Sequence, residues 1–272
     1  YGIANLSGKP SNKEVFKILD MAWEKGVRSF DTAPGYGSEL LLGEFISANG
    51  LQNEVKVLTK IPSLMDRSDY EEATKNSIEA SLDKLGCPID VLFFHNPADS
   101  VLLVKNQLFF EDLLKEFPVS TSGVSVYEPK EVDELRDYPS NLAFQFPFNV
   151  LDRRFEKISL PKRKRYARSV FLQGLLASRN ELRPDTPKEI HNLQKEYHDK
   201  LADLHLAPVG FAVSFAAHSD SVDLFLIGVD SKEQLQEILN LNLYNQKDIV
   251  MFDALPVNSD EHWFDPRNWS SI

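Results

Sequence analysis

Apolar and polar positions along the chain alternate between helical spacing and short, nearly continuous apolar runs. In the first such unit, apolar residues recur at helical spacing over 13–25, Gly26 follows as a helix-ending residue, and 27–31 has the pattern of a strand. The same succession of helix, turn and strand repeats through residue 125, and less regularly after it. Amphipathic helices that alternate with apolar strands are typical of α/β proteins.

The full pattern predicts the following elements. Strands are predicted over 27–31, 55–59, 89–94, 119–125, 142–146, 166–171 and 224–228. Helices are predicted over 13–25, 39–48, around 78–85, over 108–117, briefly around 132–135, over 190–204 and over 231–241. We expect Ser38 and Ser231 to cap the helices that begin after them, and Gly50 and Gly86 to end helices.

Seven apolar strands separated by helices favour a parallel sheet that is buried on both faces. We expect a (β/α)8 TIM barrel that forms one domain over residues 1–272. Seven strands are one short of a closed barrel and the helix at 13–25 has no strand before it, so we expect the first strand to be missing or truncated at the N-terminus, upstream of Tyr1. A doubly wound open sheet is the competing fold, but its usual phosphate-binding loops, GxGxxG or GxxxxGK followed by Ser or Thr, do not occur in the chain.

Composition and charge narrow the range of partners. The 272 residues carry 30 Lys and Arg against 41 Asp and Glu, a formal net charge of −11, which argues against nucleic acid or an anionic membrane as a partner. No apolar run is long enough to predict a membrane-spanning helix. Cys87 is the only cysteine, so an internal disulfide is excluded and a cytoplasmic location is expected.

Three successive predicted strands each lead into an ionisable residue. Asp31 ends the first strand, Lys60 follows the second and His95 follows the third, while Tyr36 lies five residues beyond Asp31. The carboxyl ends of the strands in a parallel barrel lie side by side on one rim, where catalytic groups collect. One polar residue at a strand end is usually only a solvated cap, but these three with a neighbouring phenol predict a site.

The four side chains suit a particular reaction. A phenol is a poor acid near neutral pH, and a neighbouring ammonium stabilises the phenolate. A carboxylate that pairs with the ammonium keeps it charged and in place, and an imidazole can orient a carbonyl oxygen by a hydrogen bond. Such a set can protonate a carbonyl oxygen as negative charge develops on it. None of these groups can supply a hydride, so reduction requires a nicotinamide cofactor.

The motifs around these residues resemble those of the aldo-keto reductases. Residues 30–39, FDTAPGYGSE, with Leu42-Gly43 resemble the FDTA…YG…SE…LG signature, and Thr59-Lys60 and 89–97 match its next two blocks. The resemblance covers nearly the whole chain and implies a (β/α)8 barrel that uses NADPH or NADH. It also implies a catalytic tetrad with a tyrosine as the proton donor, formed by Asp31, Tyr36, Lys60 and His95.

The resemblance extends to a set of cofactor-binding positions. These are Ser125, Gln145, Arg168, Ser169, Phe171, Gly228, Ser231, Lys232, Gln234 and Glu237. In the family, the first two positions hold the nicotinamide carboxamide, the next three lie by the nicotinamide ring and pyrophosphate, and the last five bind the adenosine phosphate. The chain departs from the family pattern at Val126 and Ile238, where an Asn is usual, and at Arg168, where a Tyr often stacks on the ring.

The start of the last predicted helix gives an independent argument about the cofactor. Backbone N–H groups at a helix N-terminus attract anions, and Lys232 supplies a cation there, which favours NADPH over NADH. The alternative is that Ser231 and Gln234 only cap the helix.

Other signals are assigned no chemistry. His191, His198 and His205 recur every seven residues, too far apart to share a metal, and are expected on a solvated helix face. The basic cluster 162–165 is expected to be a solvated loop or helix end, and Cys87 a buried or incidental thiol. No metal site is predicted.

The function favoured by the sequence is NAD(P)H-dependent reduction of an aldehyde or ketone, a small-molecule carbonyl substrate, to an alcohol. The alternative, motivated by the departures at Val126, Arg168 and Ile238, is a nucleotide-binding regulatory or partner-binding barrel without significant turnover. An isomerase or lyase that retains the cofactor is a third interpretation. The sequence identifies neither the substrate nor the oligomeric state, because no loop carries a readable code.

Overall fold

The computed structural model describes residues 10–138, 141–160, 162–179, 182, 186–253, 261–265 and 268–269. Strands and α-helices alternate through most of these residues. The strands are β1 (Ser29–Asp31), β2 (Lys56–Ile61), β3 (Ile89–Phe94), β4 (Val119–Ser125), β5 (Ala143–Pro147), β6 (Arg165–Arg168) and β7 (Leu224–Phe225). The helices are α1 (Asn12–Glu24), α2 (Glu39–Asn49), α3 (Tyr70–Leu85), α4 (Ser100–Lys105), α5 (Gln107–Glu116), α6 (Pro129–Asp133), α7 (Lys188–Asp203), α8 (Pro208–Ala217), α9 (Lys232–Leu239) and α10 (Gln246–Asp253).

The helix ends follow the sequence signals closely. Gly50 and Gly86 end α2 and α3 in the left-handed conformation, with φ of 67° and 64°, which glycine adopts without a steric penalty. Ser231 caps α9 through its side chain, as predicted. Ser38 precedes α2 but its side chain does not cap that helix. It bonds instead to Thr32, so Ser38 occupies the predicted N-cap position without the side-chain bond of a cap.

The chain divides into two compact units. The first unit comprises Pro10–Phe146 and Ser159–Tyr166, and the second comprises Pro147–Ile158 and the residues from Ala167 onward. The expectation of one domain over the whole chain stays a prediction.

Strands β1 to β5 of the first unit form a parallel sheet in chain order. A buried apolar cluster joins side chains from β2, β3, β5 and the start of β6. Its members are Leu58, Val91, Phe93, Ala143 and Tyr166. Side chains of strands that are not neighbours can meet only if the sheet curls, so the cluster lies on the concave side of the first unit's sheet.

Two glycines of the first unit lie where a side chain has no space. A Cβ atom on Gly43 of α2 would lie 1.8 Å from the carbonyl oxygen of Lys84 at the end of α3. A Cβ atom on Gly123 of β4 would lie 2.6 Å from the ring of Phe93 on β3. The first position brings two helix backbones into contact, and the second gives an aromatic ring room inside the curled sheet.

In the second unit, β6 ends earlier than predicted. The N–H of Phe148 donates to the carbonyl of Arg168, and the N–H of Leu226 donates to that of Ala167. Beyond Arg168 the chain leaves the extended conformation, since Ser169, Leu172 and Gln173 have φ values of 61°, 44° and 58°. The predicted strand 166–171 was therefore too long, because Ser169 within it adopts a left-handed conformation that no strand accommodates.

Helix α7 corrects the prediction for the three histidines. His191 is exposed, but His198 is buried, and its Nε2 bonds to the carbonyl oxygen of Leu175 at 2.9 Å. Burial lowers the pKa of His198. His205 lies beyond α7 with a φ of 56°. The solvated face predicted for all three was thus wrong for His198.

In the basic cluster at 162–165, Lys162 and Lys164 are exposed as expected, and Arg163 is half-buried. The guanidinium of Arg163 donates to the carbonyl oxygens of Leu135, Arg136 and Tyr138 at 2.7–3.0 Å. Arg163 therefore satisfies carbonyl groups that follow α6. Among the described residues, no helix has the length and apolar character to cross a membrane, and no cluster of three or more His, Cys, Asp or Glu suits a metal ion.

Candidate active site

An ion pair occupies the carboxyl ends of β1 and β2. The Nζ atom of Lys60 donates to Oδ2 of Asp31 at 2.7 Å and to the carbonyl oxygen of Thr32 at 2.9 Å. The Lys60 side chain is 1% exposed, and that of Asp31 is 17% exposed. A buried ammonium is costly unless it is paired, so Asp31 and the Thr32 carbonyl offset the cost of burying the Lys60 side chain and fix its position.

Tyr36 lies in the loop that joins β1 to α2. Pro34–Tyr36 form one turn of 3₁₀ helix, which ends at Gly37 with a φ of 68°. The hydroxyl oxygens of Thr32 and Ser38 lie 2.7 Å apart in a hydrogen bond that closes the loop. The Nζ atom of Lys60 lies 4.9 Å from the centre of the Tyr36 ring, within cation–π range. The loop thus holds the phenol beside the ammonium.

His95 follows β3, and its backbone N–H donates to the carbonyl oxygen of Ile61 at 3.2 Å. Its ring centre lies 6.0 Å from that of Tyr36, with the two planes at 89°. The structure therefore brings Asp31, Tyr36, Lys60 and His95 together in the first unit, at the carboxyl ends of three neighbouring strands.

Gln145 of β5 is buried and contacts the same centre. Its Nε2 donates to Oδ1 of Asp31 at 2.8 Å, and its register partner on β4 is Ser125, also buried. Val126 has its side chain fully buried, and its N–H donates to the carbonyl oxygen of Gln145. Ser125 and Gln145 thus lie next to each other beside the ion pair, and the departure at Val126 places an apolar side chain in the core.

The predicted cofactor residues near β6 belong to the second unit. Arg168 ends β6, and Ser169 follows with a left-handed φ of 61°. The buried side chain of Asn149 donates to the carbonyl oxygen of Ser169 at 3.0 Å, which holds this unusual conformation. Phe171 packs against a small buried cluster that includes Val170 and Ala212.

The remaining cofactor positions surround the start of α9 in the second unit. The hydroxyl of Ser231 accepts from the N–H of Gln234 at 3.2 Å, and Oε1 of Gln234 accepts from the N–H of Asp230 at 2.8 Å. Gly228 and Glu237 are exposed, and Lys232 is partly exposed. Ser231 and Gln234 therefore cap α9. The cofactor role predicted for the same two residues stays a prediction.

A buried carboxylate that sequence analysis assigned no role lies beside the site. Oε1 of Glu39 accepts hydrogen bonds from the hydroxyls of Thr59 and Ser81, each at 2.8 Å, and Oε2 lies 3.4 Å from Nζ of Lys84. Glu39 thus ties the start of α2, just after the Tyr36 loop, to β2 and α3. Its signal in the sequence is a carboxylate at a position the helical pattern leaves buried.

Asp99 is a second buried carboxylate that was missed. Its two oxygens accept from the N–H of Leu64 at 3.1 and 3.0 Å. Burial raises the pKa of Asp99, and hydrogen bonds from the backbone of Leu64 and Met65 oppose that rise. Asp99 therefore joins the loop after β3, which begins with His95, to the loop after β2.

Cys87 carries no chemistry in this arrangement. The thiol is buried, and burial together with nearby Asp90 raises its pKa to about 11. A thiol that is protonated at neutral pH is a poor nucleophile, as expected for a structural cysteine.

Comparisons with known proteins agree with the motif resemblance. The family model described as Aldo/keto reductase family matches residues 1–256. Aldo-keto reductase YhdN of Bacillus subtilis is 25% identical over 278 residues, which cover 89% of this chain and 84% of that protein. The chloroplastic pyridoxal reductase of Arabidopsis thaliana is 33% identical over 139 residues, which cover 45% of this chain and 37% of that protein.

Solved structures show the same fold. The holo form of aldo-keto reductase AKR11C1 from Bacillus halodurans superposes with a TM-score of 0.76 at 18% identity, over 97% of this chain and 94% of that one. The glycerol dehydrogenase AKR11B4 of Gluconobacter oxydans gives a TM-score of 0.72 at 19% identity, over 95% and 91%. The predicted (β/α)8 fold class is thereby confirmed. Since the family model spans nearly all of the sequence, the chain belongs to the aldo/keto reductase family.

Proposed function

We propose that the chain is an oxidoreductase that reduces an aldehyde or ketone to an alcohol with a nicotinamide cofactor, in the cytoplasm. The observation that carries the proposal is the buried Lys60–Asp31 pair, with the Tyr36 ring centre 4.9 Å from the ammonium and the His95 ring 6.0 Å from that of Tyr36. A phenol beside a fixed ammonium is an arrangement for proton transfer to an oxygen.

Each residue of the centre has a distinct role in this proposal. The Tyr36 hydroxyl donates a proton to the carbonyl oxygen of the substrate, and the Lys60 ammonium stabilises the phenolate that remains. Asp31 keeps Lys60 charged and in place, and His95 orients the carbonyl oxygen by a hydrogen bond. The nicotinamide, when bound, supplies the hydride that none of these groups can provide.

Each unit contains residues that fit one part of a nicotinamide cofactor. In the first unit, the Nε2 of Gln145 is bonded to Asp31, which leaves Oε1 as an acceptor suited to an amide N–H, with the Ser125 hydroxyl beside it. In the second unit, the eight-residue α9 begins with Lys232, a charge suited to a phosphate at a helix N-terminus. We propose NADPH rather than NADH on this ground.

The other proposed cofactor contacts rest on the motif resemblance. They are Arg168, Ser169, Phe171, Gly228, Ser231, Gln234 and Glu237. Relatives include a pyridoxal reductase and a glycerol dehydrogenase, whose names give different substrates. We therefore propose only the class, a small-molecule carbonyl compound, for this chain.

Replacement of the proton donor tests the reaction. We expect Tyr36→Phe to lower kcat by at least about 10²-fold, since a positioned acid acts in the transition state, while the Kd of NADPH changes by less than about threefold. Steady-state kinetics over a panel of aldehydes and ketones, with fluorescence titration of NADPH, measure both quantities. Tyr70→Phe, which removes a hydroxyl from an exposed hydrogen bond in the same unit, is the matched control. Turnover close to wild type in Tyr36→Phe would contradict the proposal.

The cofactor preference has its own test. We expect kcat/KM to be higher with NADPH than with NADH. In Lys232→Ala, the ratio of the two values should fall about tenfold, as expected for the loss of one charge-assisted phosphate contact. Equal values for the two cofactors, or an unchanged preference in Lys232→Ala, would refute the phosphate role of Lys232.

The departures at Val126, Arg168 and Ile238 motivate a second candidate, a nucleotide-binding module without significant turnover. Tight binding of NADPH with no turnover on any member of the carbonyl panel would favour this module over the reductase.

A further inference from the structure

Gln145 lies between the Asp31–Lys60 pair and the position that we propose for the nicotinamide carboxamide. The residue is 1% exposed, and its Nε2 lies 2.8 Å from Oδ1 of Asp31. The other oxygen of Asp31 accepts from Nζ of Lys60 at 2.7 Å. Both oxygens of the Asp31 carboxylate are thus engaged, one by an ammonium and one by a neutral amide. Gln145 and Asp31 lie 114 positions apart in the sequence.

The orientation of the Gln145 amide follows from its partner. A carboxylate paired with an ammonium only accepts hydrogen bonds, so the amide must turn its NH₂ group toward Asp31. The carbonyl oxygen of the Gln145 side chain is then the atom left to accept a hydrogen bond from the nicotinamide carboxamide that we propose to bind there. The hydrogen bond therefore fixes the orientation of the Gln145 amide and also the rotation of the Asp31 carboxylate that holds Lys60.

We propose that Gln145 is a positioning residue of the proton-transfer centre, which acts on Tyr36 through Asp31 and Lys60. This inference rests on the proposed function and adds to it a link between the carboxamide position and the acid. The hydrogen bond from Gln145 disperses part of the negative charge of Asp31. Without this hydrogen bond, the negative charge of Asp31 cancels more of the positive potential that Lys60 produces at Tyr36. The phenolate form of Tyr36 then loses stabilisation.

The charged and titratable groups at this centre come from three strand ends. Asp31 comes from β1, Lys60 from β2 and His95 from the end of β3, and Tyr36 lies beside the last two. Glu39 bonds to Thr59, Ser81 and Lys84 rather than to Asp31. A change confined to Gln145 thus alters the potential at Tyr36 mainly through the Asp31–Lys60 pair.

The test needs no bound cofactor. The chain has eight tyrosines, and the tyrosinate absorbance of Tyr36 is obtained by subtracting a titration of the same protein that also carries Tyr36→Phe. Gln145→Met removes the donor with little change of shape, Gln145→Glu replaces it with a negative charge, and Ser125→Ala alters the register partner without touching Asp31. The full-length protein is used throughout, and circular dichroism confirms that each variant is folded.

We expect the pH at which Tyr36 ionises to rise by about half a unit in Gln145→Met and by about one unit in Gln145→Glu, the effect of one added charge at several ångströms. In Ser125→Ala it stays within about 0.2 units of wild type. Gln145→Met removes the donor without adding a charge, so its shift decides the question, and the pH profile of kcat in the Gln145 variants supplies a second measurement. Equal ionisation in wild type and the Gln145 variants would overturn the proposal, and so would the same shift in Ser125→Ala.

Kinetics supply the second measurement. We expect both Ser125→Ala and Gln145→Met to raise the KM of the cofactor, but only the Gln145 variants to change the pH profile of kcat. In Gln145→Glu, kcat relative to wild type rises as pH falls, because the introduced carboxyl group can again donate to Asp31 once it is protonated. Parallel pH profiles for all variants would contradict a positioning role. A wild-type protein that turns over no carbonyl compound would refute the proposed function, while the tyrosinate titration would still decide the role of Gln145.

Discussion

Asp31 and Asp99 lie in two neighbouring regions of the first unit, and their carboxylates are satisfied in opposite ways. Asp31 lies in the catalytic centre, where an ammonium and an amide engage its two oxygens. Asp99 lies in the loop after β3, is fully buried, and accepts from backbone N–H groups of the loop after β2. The Asp31 carboxylate has a cation as a partner, whereas the Asp99 carboxylate is held by hydrogen bonds from uncharged backbone N–H groups.

This difference in partners distinguishes a carboxylate that takes part in the proposed reaction from one that attaches two loops to each other. A cation partner stabilises the ionised carboxylate and creates a charged pair that can respond to a proton transfer nearby. Backbone donors fix a loop equally well, but they leave the burial cost of the charge partly uncompensated, and the pKa of Asp99 is raised. The two regions should therefore respond differently when a partner is removed or the pH is changed.

Removal of the Lys60 charge is expected to have the largest effect. Lys60→Met leaves the Asp31 carboxylate without its ammonium, which should lower the free energy of unfolding by about 3 kcal/mol and kcat by at least about 10²-fold. Urea denaturation and steady-state kinetics measure the two losses. Lys56→Met, at an exposed position of the same strand, is the matched control and should change neither by much. A variant that keeps wild-type kcat would end the distinction between the two regions.

Removal of the Asp99 carboxylate is expected to affect stability more than chemistry. Asp99→Ala leaves the buried N–H of Leu64 without an acceptor, which should cost about 2 kcal/mol of the free energy of unfolding. The reduction rate should fall by less than about tenfold, through movement of the His95 loop. Ser63→Ala, which removes an exposed hydrogen bond between the same two loops, should cost less than about 0.5 kcal/mol. A loss of kcat as large as that of Lys60→Met would make Asp99 part of the chemistry.

The smallest expected effect is a pH dependence of stability. Because the pKa of Asp99 is raised above its ordinary value of 3.8, the folded protein binds more protons than the unfolded chain just above that pH. The contribution of Asp99 is thus fully present below pH 3.8 and is lost as pH rises through the folded value. Asp99→Asn removes this titration.

The measurement is the free energy of unfolding of wild type and Asp99→Asn from acid to neutral pH. Wild type should lose stability relative to the variant as pH rises, by about 1.4 kcal/mol for each unit by which the pKa is raised. Asp90 and Asp230, whose pKa values burial also raises, are common to both proteins and cancel in the difference. A difference that does not change with pH would show that hydrogen bonds fully compensate the burial of the Asp99 carboxylate.

Much of the first unit could be predicted from the sequence because its signals are local. The strand bounds 89–94 and 119–125 were confirmed. Residues 89–94 are mostly apolar and lie between Pro88 and His95, which marks both ends of that strand. The positions of Asp31, Lys60 and His95 at neighbouring strand ends followed from the strand pattern and the rule for parallel sheets.

Other features could not be predicted, for physical reasons. Helix α8 was missed because 208–217 is apolar on every side and buried on most, so no amphipathic period marks it. The left-handed conformation at Ser169 depends on a donor from Asn149, twenty positions away. The bond from Gln145 to Asp31 joins distant strands, and no local pattern distinguishes it from a cofactor contact.

The backbone contact at Gly43 has a consequence for anyone who redesigns this protein. A methyl group there would collide with the Lys84 carbonyl, so α2 cannot slide or tilt toward α3 to absorb a change in the segment that precedes it. Loop exchange aimed at new substrates is therefore best confined to segments outside 30–43. Within that stretch, a grafted segment should keep the original length and Gly43, because α2 cannot move to restore the position of Tyr36.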